Sequence, residues 1–291
     1  MPKGAKRSWE RALVTGASAG IGTAYVRALA AQGTNLVLVA RNVERLEKLA
    51  QECRTDHGVD VEVLAADLSD PRQLAQVENR VWGSPRLDLV VNNAGIGTFG
   101  AFDRHTVDDE LREIDLNVGA LVRLTHAAVT SMTRHGSGTI LNMSSIMALA
   151  PFPGSATYAA SKAFVTSFSE ALHEELRGTG VSVTAALPGI VQTEFMERAD
   201  ADHLDGVPGF VSLKPEFVAK ATLRAARKGK AVSIPGFGYR IAAALVGATP
   251  RATVRRFNAV SARGRFGALR RRPPPNTKRG VSLSHEDGIV T

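Results

Sequence analysis

Apolar residues along this chain fall into two kinds of run. Short unbroken runs cover Arg11–Thr15, Asn35–Ala40, Leu87–Val91, Gly138–Asn142 and Val181–Leu187. They lack the alternation of a sheet with one wet face and predict strands covered on both sides. Val59–Ala65 predicts a further strand, and Lys230–Ile234 a seventh. Longer stretches between them, 21–32, 43–57, 70–82, 106–135 and 158–177, predict helices. Gly33 and Gly58 follow the first two as stops, and Asp70-Pro71 supplies a cap and first turn to the third. Strand and helix alternate throughout. With right-handed crossovers, that alternation predicts an α/β fold with a doubly wound parallel sheet of about seven strands flanked by helices.

After Pro235 the pattern changes. Residues 239–247 predict one more helix, Arg251 to Arg272 is strongly basic, Pro273-Pro-Pro275 breaks structure, and 276–291 reads as disordered. The expected organisation is a short N-terminal tail (1–10), a catalytic domain (11–236) and a C-terminal extension (237–291), partly helical and then basic. Ten Lys or Arg and two acids lie from Arg251 onward, so this tail carries the whole net charge of +8 and the first 250 residues are balanced. Three readings of the tail stand: a solvated segment, attachment to an anionic membrane surface aided by the apolar stretch 241–246, and nucleic-acid contact. Few aromatics interleave its charges, Phe257 and Phe266 excepted, which disfavours the last. A lone cysteine, Cys53, rules out an internal disulfide and suits a reducing cytoplasm. The basic start has no apolar stretch behind it and does not read as a signal peptide, and no Cys/His cluster has metal-ligand spacing.

Two constellations carry chemistry. Thr15-Gly16-Ala-Ser18-Ala19-Gly20-Ile21-Gly22 links the first strand to the first helix. Glycines there allow a tight turn and close approach of backbone N–H groups to a pyrophosphate, with the positive end of a helix behind them. The same letters match a hydrolase nucleophile elbow, but that fold places strands before the elbow and a histidine after it. Here only His203 or His285 could follow as such a histidine. The second constellation is Tyr158 and Lys162, four apart near the start of a helix and so on one face. An ammonium beside a phenol favours the phenolate and is expected to lower its pKa from about 10.

With these motifs in order, the chain resembles a short-chain dehydrogenase/reductase of the single-domain, Rossmann-like type over roughly residues 11–236. Further matches are Asp67-Leu68 after strand three, Asn93-Ala94-Gly95 after strand four, Asn117, Ser145, and Pro188-Gly189 leading through Val191 to Thr193. The resemblance implies hydride exchange between a nicotinamide cofactor and a carbonyl or alcohol. Tyr158 would move the proton, Ser145 would hold the substrate oxygen, and Lys162 would bond the nicotinamide ribose. Asn117 would anchor a water in a proton relay. The turn at Gly16, Ser18, Ala19, Gly20, Ile21 and Gly22 would hold the pyrophosphate, and Asp67, Leu68, Asn93, Ala94 and Gly95 would flank the adenosine. Pro188, Gly189, Val191 and Thr193 would line the nicotinamide side.

The end of strand two holds Ala40 and Arg41 where NAD-specific relatives carry an acid, so NADP(H) is expected over NAD(H). The apolar run after Ser145, with Phe99 and Phe102 near the same mouth and 194–214 as a lid, suggests a hydrophobic carbonyl substrate. Relatives commonly associate through the helices of Asn117 and Tyr158, implying a homodimer or homotetramer. A catalytically silent NADP(H)-binding regulator of the same fold is the alternative function.

Overall fold

The computed structural model describes residues 9–195 and 212–270, with side chains through 260. The strands are β1 (Arg11–Thr15), β2 (Asn35–Ala40), β3 (Val61–Ala65), β4 (Leu89–Asn92), β5 (Gly138–Met143), β6 (Val181–Ala186) and β7 (Val232–Ser233). They form one sheet in the order β3-β2-β1-β4-β5-β6-β7, and every pairing is parallel. The helices are α1 (Gly20–Ala30), α2 (Val43–His57), α3 (Pro71–Trp82), α4 (Val107–Ile114), α5 (Leu121–Arg134), α6 (Ala156–Glu175), α7 (Pro215–Arg227), α8 (Phe237–Ala248) and α9 (Arg251–Arg270).

Both faces of the sheet are buried, as the unbroken apolar runs require. Ala12 and Val14 of β1 pack with Tyr25 and Leu29 of α1, Leu46 of α2 and Leu223 of α7 on one side. Leu13 of β1 packs with Val77 of α3, Leu124 of α5 and Leu176 on the other. Local chemistry sets the helix ends. The Asp70 carboxylate accepts from Arg72 N and Gln73 N at 2.8 and 3.0 Å to open α3, and Gly58 closes α2 at φ +64°.

Three expectations are revised. The long helix over 106–135 divides into α4, a π-helical turn at Asp115–Ala120, and α5. This wider turn falls at Asn117, in keeping with the habit of π segments to occur where side chains have work to do. The basic stretch begins as a helix: Pro250 O accepts from Thr253 N and Val254 N, opening α9, which runs to Arg270 without a further proline. Packing also starts before Arg11. Trp9 is buried, its Nε1 donates to Thr139 Oγ1 at 3.2 Å, and the Arg227 guanidinium lies 4.5 Å from its ring centre.

Residues 196–211, most of the lid expected over 194–214, and the tail after 270 lie outside the described residues. Seven of the ten basic positions after 250 lie beyond the last described side chain, and the lipid and nucleic-acid readings fall largely there. Among the described residues no helix is long and apolar enough to cross a membrane, and no His/Cys/Asp/Glu group could hold a metal.

Candidate active site

The chain leaves β1 toward β2 and β3, then returns to place β4 on the other side of β1. A crevice opens at such a reversal beyond the carboxyl ends of the strands. Thr15 and Asn93 pin its floor. Thr15 Oγ1 accepts from the backbone N–H of both Asn93 and Ala94, at 2.9 and 3.0 Å, and Asn93 Nδ2 donates to Thr15 O at 3.0 Å. Above this floor sits a cavity of about 650 Å³.

At one end is the glycine turn. Gly16 and Gly20 have φ of +64° and +54°, which a side chain would strain, and a Cβ on Gly22 would run into the Gly16 carbonyl. The start of α1 has no side-chain cap and no acid in its first turn. Its N-terminal donors and positive end are left for an anion, and Ser18, Ala19, Gly20 and Ile21 line the cavity beside them. These features fit a dinucleotide pyrophosphate. Thr193, on the loop after β6, lies against Gly20, its methyl 2.9 Å from where a Cβ would stand.

Past Ala40 the cavity is rimmed by Arg41, Arg45 and Arg112. Arg41 and Arg112 both approach Asp67 at 3.7 Å. Burial works against the Asp67 carboxylate, but hydrogen bonds from Ser69 and the two guanidinium charges outweigh it and hold its pKa below the usual range. Arg45 donates to both oxygens of Glu194, at 3.1 and 2.8 Å. Sequence reasoning found Arg41 and missed the other two. Arg45 sits in the first turn of α2 and Arg112 on α4, where an arginine looks like any solvated charge.

At the other end Ser145, Tyr158 and Lys162 converge, all nearly buried. Ser145, extended at the end of β5, accepts from Met147 N at 3.2 Å and also hydrogen-bonds the Tyr158 hydroxyl. Its neighbour Ser144 points away and is used up in bonds of 2.7 Å to Lys162 O and Thr166 Oγ1. The Lys162 ammonium donates to Met143 O at 3.0 Å and lies 5.6 Å from the Tyr158 ring centre. Asn117 is clamped to the loop after β4: Nδ2 donates to Ile96 O and Oδ1 accepts from Ile96 N. A Cβ on Gly95 would meet Asn117 Oδ1 at 2.9 Å and Lys162 Nζ at 3.3 Å, so the glycine leaves these two groups a shared space.

The expected acid shift of Tyr158 is not what the fold produces. Burial pushes the phenol up to about 12, the Ser145 hydrogen bond pulls it back in part, and the Glu113 carboxylate opposes ionisation. Burial also pushes Lys162 down to about 8, with Glu113 acting in the opposite direction. Desolvation is the largest influence on both groups.

Phe99, Phe195 and Tyr158 pack as a cluster with ring centres 5.5 to 6.5 Å apart, and Met147 packs against it. Phe102, expected at the same mouth, is instead 66% exposed. It lies on a 3-10 turn that leads away into α4. Pro188, Gly189, Val191 and Thr193 line the cavity, and Val191 bridges to Leu213. The Tyr239 ring of α8 fills the space a side chain on Gly189 would take, and its hydroxyl accepts from Ile190 N at 3.0 Å. No sequence signal pointed to Tyr239. Among the described residues no histidine lines the cavity beside Ser18; His203 and His285 lie outside them.

Comparisons with known proteins agree with this geometry. A sulfoacetaldehyde reductase from Chromohalobacter salexigens is 42% identical over 185 residues, which span 62% of this chain and 72% of that protein. A short-chain dehydrogenase from Sphingobium yanoikuyae, solved in complex with NADPH, superposes with a TM-score of 0.75 at 34% identity, over 94% of this chain and 98% of that one. A bulky-bulky ketone specific alcohol dehydrogenase from Comamonas testosteroni gives 0.71 at 29% identity, over 97% and 98%. The short chain dehydrogenase family model matches residues 10–204. On the strength of that match and of the fold, the chain belongs to the short-chain dehydrogenase/reductase family of oxidoreductases.

Proposed function

We propose that this protein is an NADPH-dependent reductase of hydrophobic carbonyl compounds, reversible as an alcohol dehydrogenase. The observation that carries this reading is the single cavity joining the glycine turn and Arg41 at one end to Ser145, Tyr158 and Lys162 at the other. The bound nicotinamide would supply the hydride. Ser145 would hold the substrate oxygen in line, and Tyr158 would donate its proton to the developing alkoxide. A phenol with pKa near 12 is protonated throughout the neutral range and is ready to act as an acid. A lysine with pKa near 8 is mainly cationic at pH 7, suited to the ribose hydroxyls and to stabilising charge left on the phenol. Asn117, fixed by Ile96, would hold the solvent end of the relay.

The wall of Phe99, Phe195 and Met147 around Tyr158 supports a hydrophobic substrate. Among the described residues the cation at this end is Lys162, while the lining arginines sit at the nucleotide end. Among the described residues no guanidinium stands at this end for a small sulfonate such as sulfoacetaldehyde, and Arg198 of the expected lid lies outside them. NADPH absorbance with a panel of bulky ketones, aldehydes and sulfoacetaldehyde is expected to give the highest kcat/KM on an apolar ketone. Sulfoacetaldehyde as the best substrate would overturn the class.

In the same assay Arg41→Ala is expected to raise KM for NADPH about tenfold, the worth of one charge-assisted hydrogen bond. KM for NADH should barely move. Arg41 makes only a loose 3.7 Å contact with Asp67, which leaves its guanidinium free to meet a 2′-phosphate. Equal losses with both nucleotides would end the NADP(H) assignment; nucleotide binding with no turnover of any compound would instead favour the silent regulator.

The protein is further read as a homodimer or homotetramer. Val107, Leu111 and Ile114 form an exposed apolar stripe on α4, and exposed Phe164 stacks on Phe168 of α6 with ring centres 5.6 Å apart. Leu111→Glu with Phe164→Asp is expected to reduce the mass in sedimentation equilibrium to that of one chain. A wild-type protein already monomeric at micromolar concentration would remove this reading.

A further inference from the structure

Two acids of α4 have no part in the site as described. Glu113 is wholly buried and Glu110 nearly so. They meet at Thr98, on the loop after β4. Its backbone N and Oγ1 donate to Glu113 Oε2 at 2.8 and 2.6 Å, and its Oγ1 lies 3.5 Å from Glu110 Oε1. Glu113 Oε1 and Glu110 Oε2 have no hydrogen-bond partner. A carboxylate held this way costs several kcal/mol unless an opposite charge compensates it. Burial is the largest influence on Glu113 and, with Glu110 on its own helix, raises its pKa; the hydrogen bonds from Thr98 and the Lys162 ammonium, across the contact between α4 and α6, favour its charged form. Glu113 also stands four residues before Asn117, one turn up the same face. Arg104 and His105 occupy the loop leading into α4, His105 lying against Gly100.

We propose that Glu113 is a positioning residue for proton transfer, its carboxylate fixed by Thr98 at the end of the loop whose Gly95 and Gly97 pack on Lys162 and Tyr158, where it sets the field in which the two work. This rests on the acid role given to Tyr158 above. The charge favours the ammonium and disfavours the phenolate, so it acts on both groups in one direction. It moves the loss of carbonyl reduction, which needs both protons, to higher pH. Burial alone would bring Lys162 into the physiological range, and Glu113 is the group that counters it.

The test is the pH profile of kcat/KM for NADPH-driven reduction. Glu113→Gln keeps the shape and an acceptor for Thr98 but removes the charge. Its alkaline limb is expected about one pH unit below that of the wild type. Glu113→Asp, with the charge withdrawn by one methylene, is expected to shift the limb by a smaller amount in the same direction. A limb that stays in place while activity falls evenly at every pH would show a merely structural role and overturn the proposal. Should the Gln variant fail to fold by circular dichroism, the Asp variant decides by the same criterion. Tyr158→Phe, run alongside, separates the two readings: full activity there would fault the acid assignment rather than Glu113.

Discussion

Tyr158→Phe is expected to lower kcat for NADPH-driven reduction by about 10²–10⁴-fold, the usual worth of a positioned general acid. NADPH affinity, followed by fluorescence titration, should stay within about twofold, and the melting temperature within a few degrees. The fold permits so clean a separation because only one oxygen is lost. The ring keeps its neighbours Phe99 and Phe195. The Lys162 ammonium keeps its bond to Met143 O, and the glycine turn lies at the opposite end of the cavity. Ser145 retains its bond from Met147 N and remains in position. Activity within threefold of the wild type would mean that another group delivers the proton.

Gly22→Ala is expected to be nearly as damaging, by a different route. Its new methyl would collide with the Gly16 carbonyl and come within 2.9 Å of Asn93 Nδ2. Neither can yield easily. Gly16 is backbone in a left-handed turn, and Asn93 is tied to Thr15 O at 3.0 Å. The start of α1 must therefore move away from the turn. The expected result is at least a tenfold loss of NADPH affinity together with about 1–3 kcal/mol of stability, the usual cost of overpacking. Gly247→Ala, in α8 with no heavy atom near the added methyl, serves as the contrast and is expected to leave both unchanged. Unaltered nucleotide affinity in Gly22→Ala would remove the pyrophosphate from this turn.

The centre of the sheet was legible in the sequence because β1, β2, β4, β5 and β6 are largely apolar runs buried on both faces, whereas β3 carries Glu62 and is only partly buried. β7 was the weakest prediction, and it shrinks to Val232 and Ser233 at the edge of the sheet. The candidate site was legible wherever a residue belongs to a short motif at a strand end, as at Gly16, Asn93 and Ser145, or at a helix start, as at Tyr158. It was illegible where the decisive quantity is desolvation. The spacing of Tyr158 and Lys162 gave their common face, but the fold around them sets their ionisation, and the direction inferred for the phenol was reversed. Arg45, Arg112 and Glu113 were missed for a related reason. Glu113 sits among Asp108, Asp109 and Glu110, a run that reads as the wet face of a helix, and only the docking of α4 against α6 makes it a buried charge.

Tyr239 carries a consequence for how the molecule is made. Its ring is wedged against Gly189 and its hydroxyl steadies Ile190, so one wall of the cavity is braced by a residue that comes fifty positions later. The glycine turn, by contrast, lies more than two hundred positions before Tyr239 and is translated well ahead of it. A nascent chain thus holds this turn early but braces the opposite wall only once α8 has emerged. The chamber is complete only when a helix from beyond the sheet has docked on its wall at Gly189.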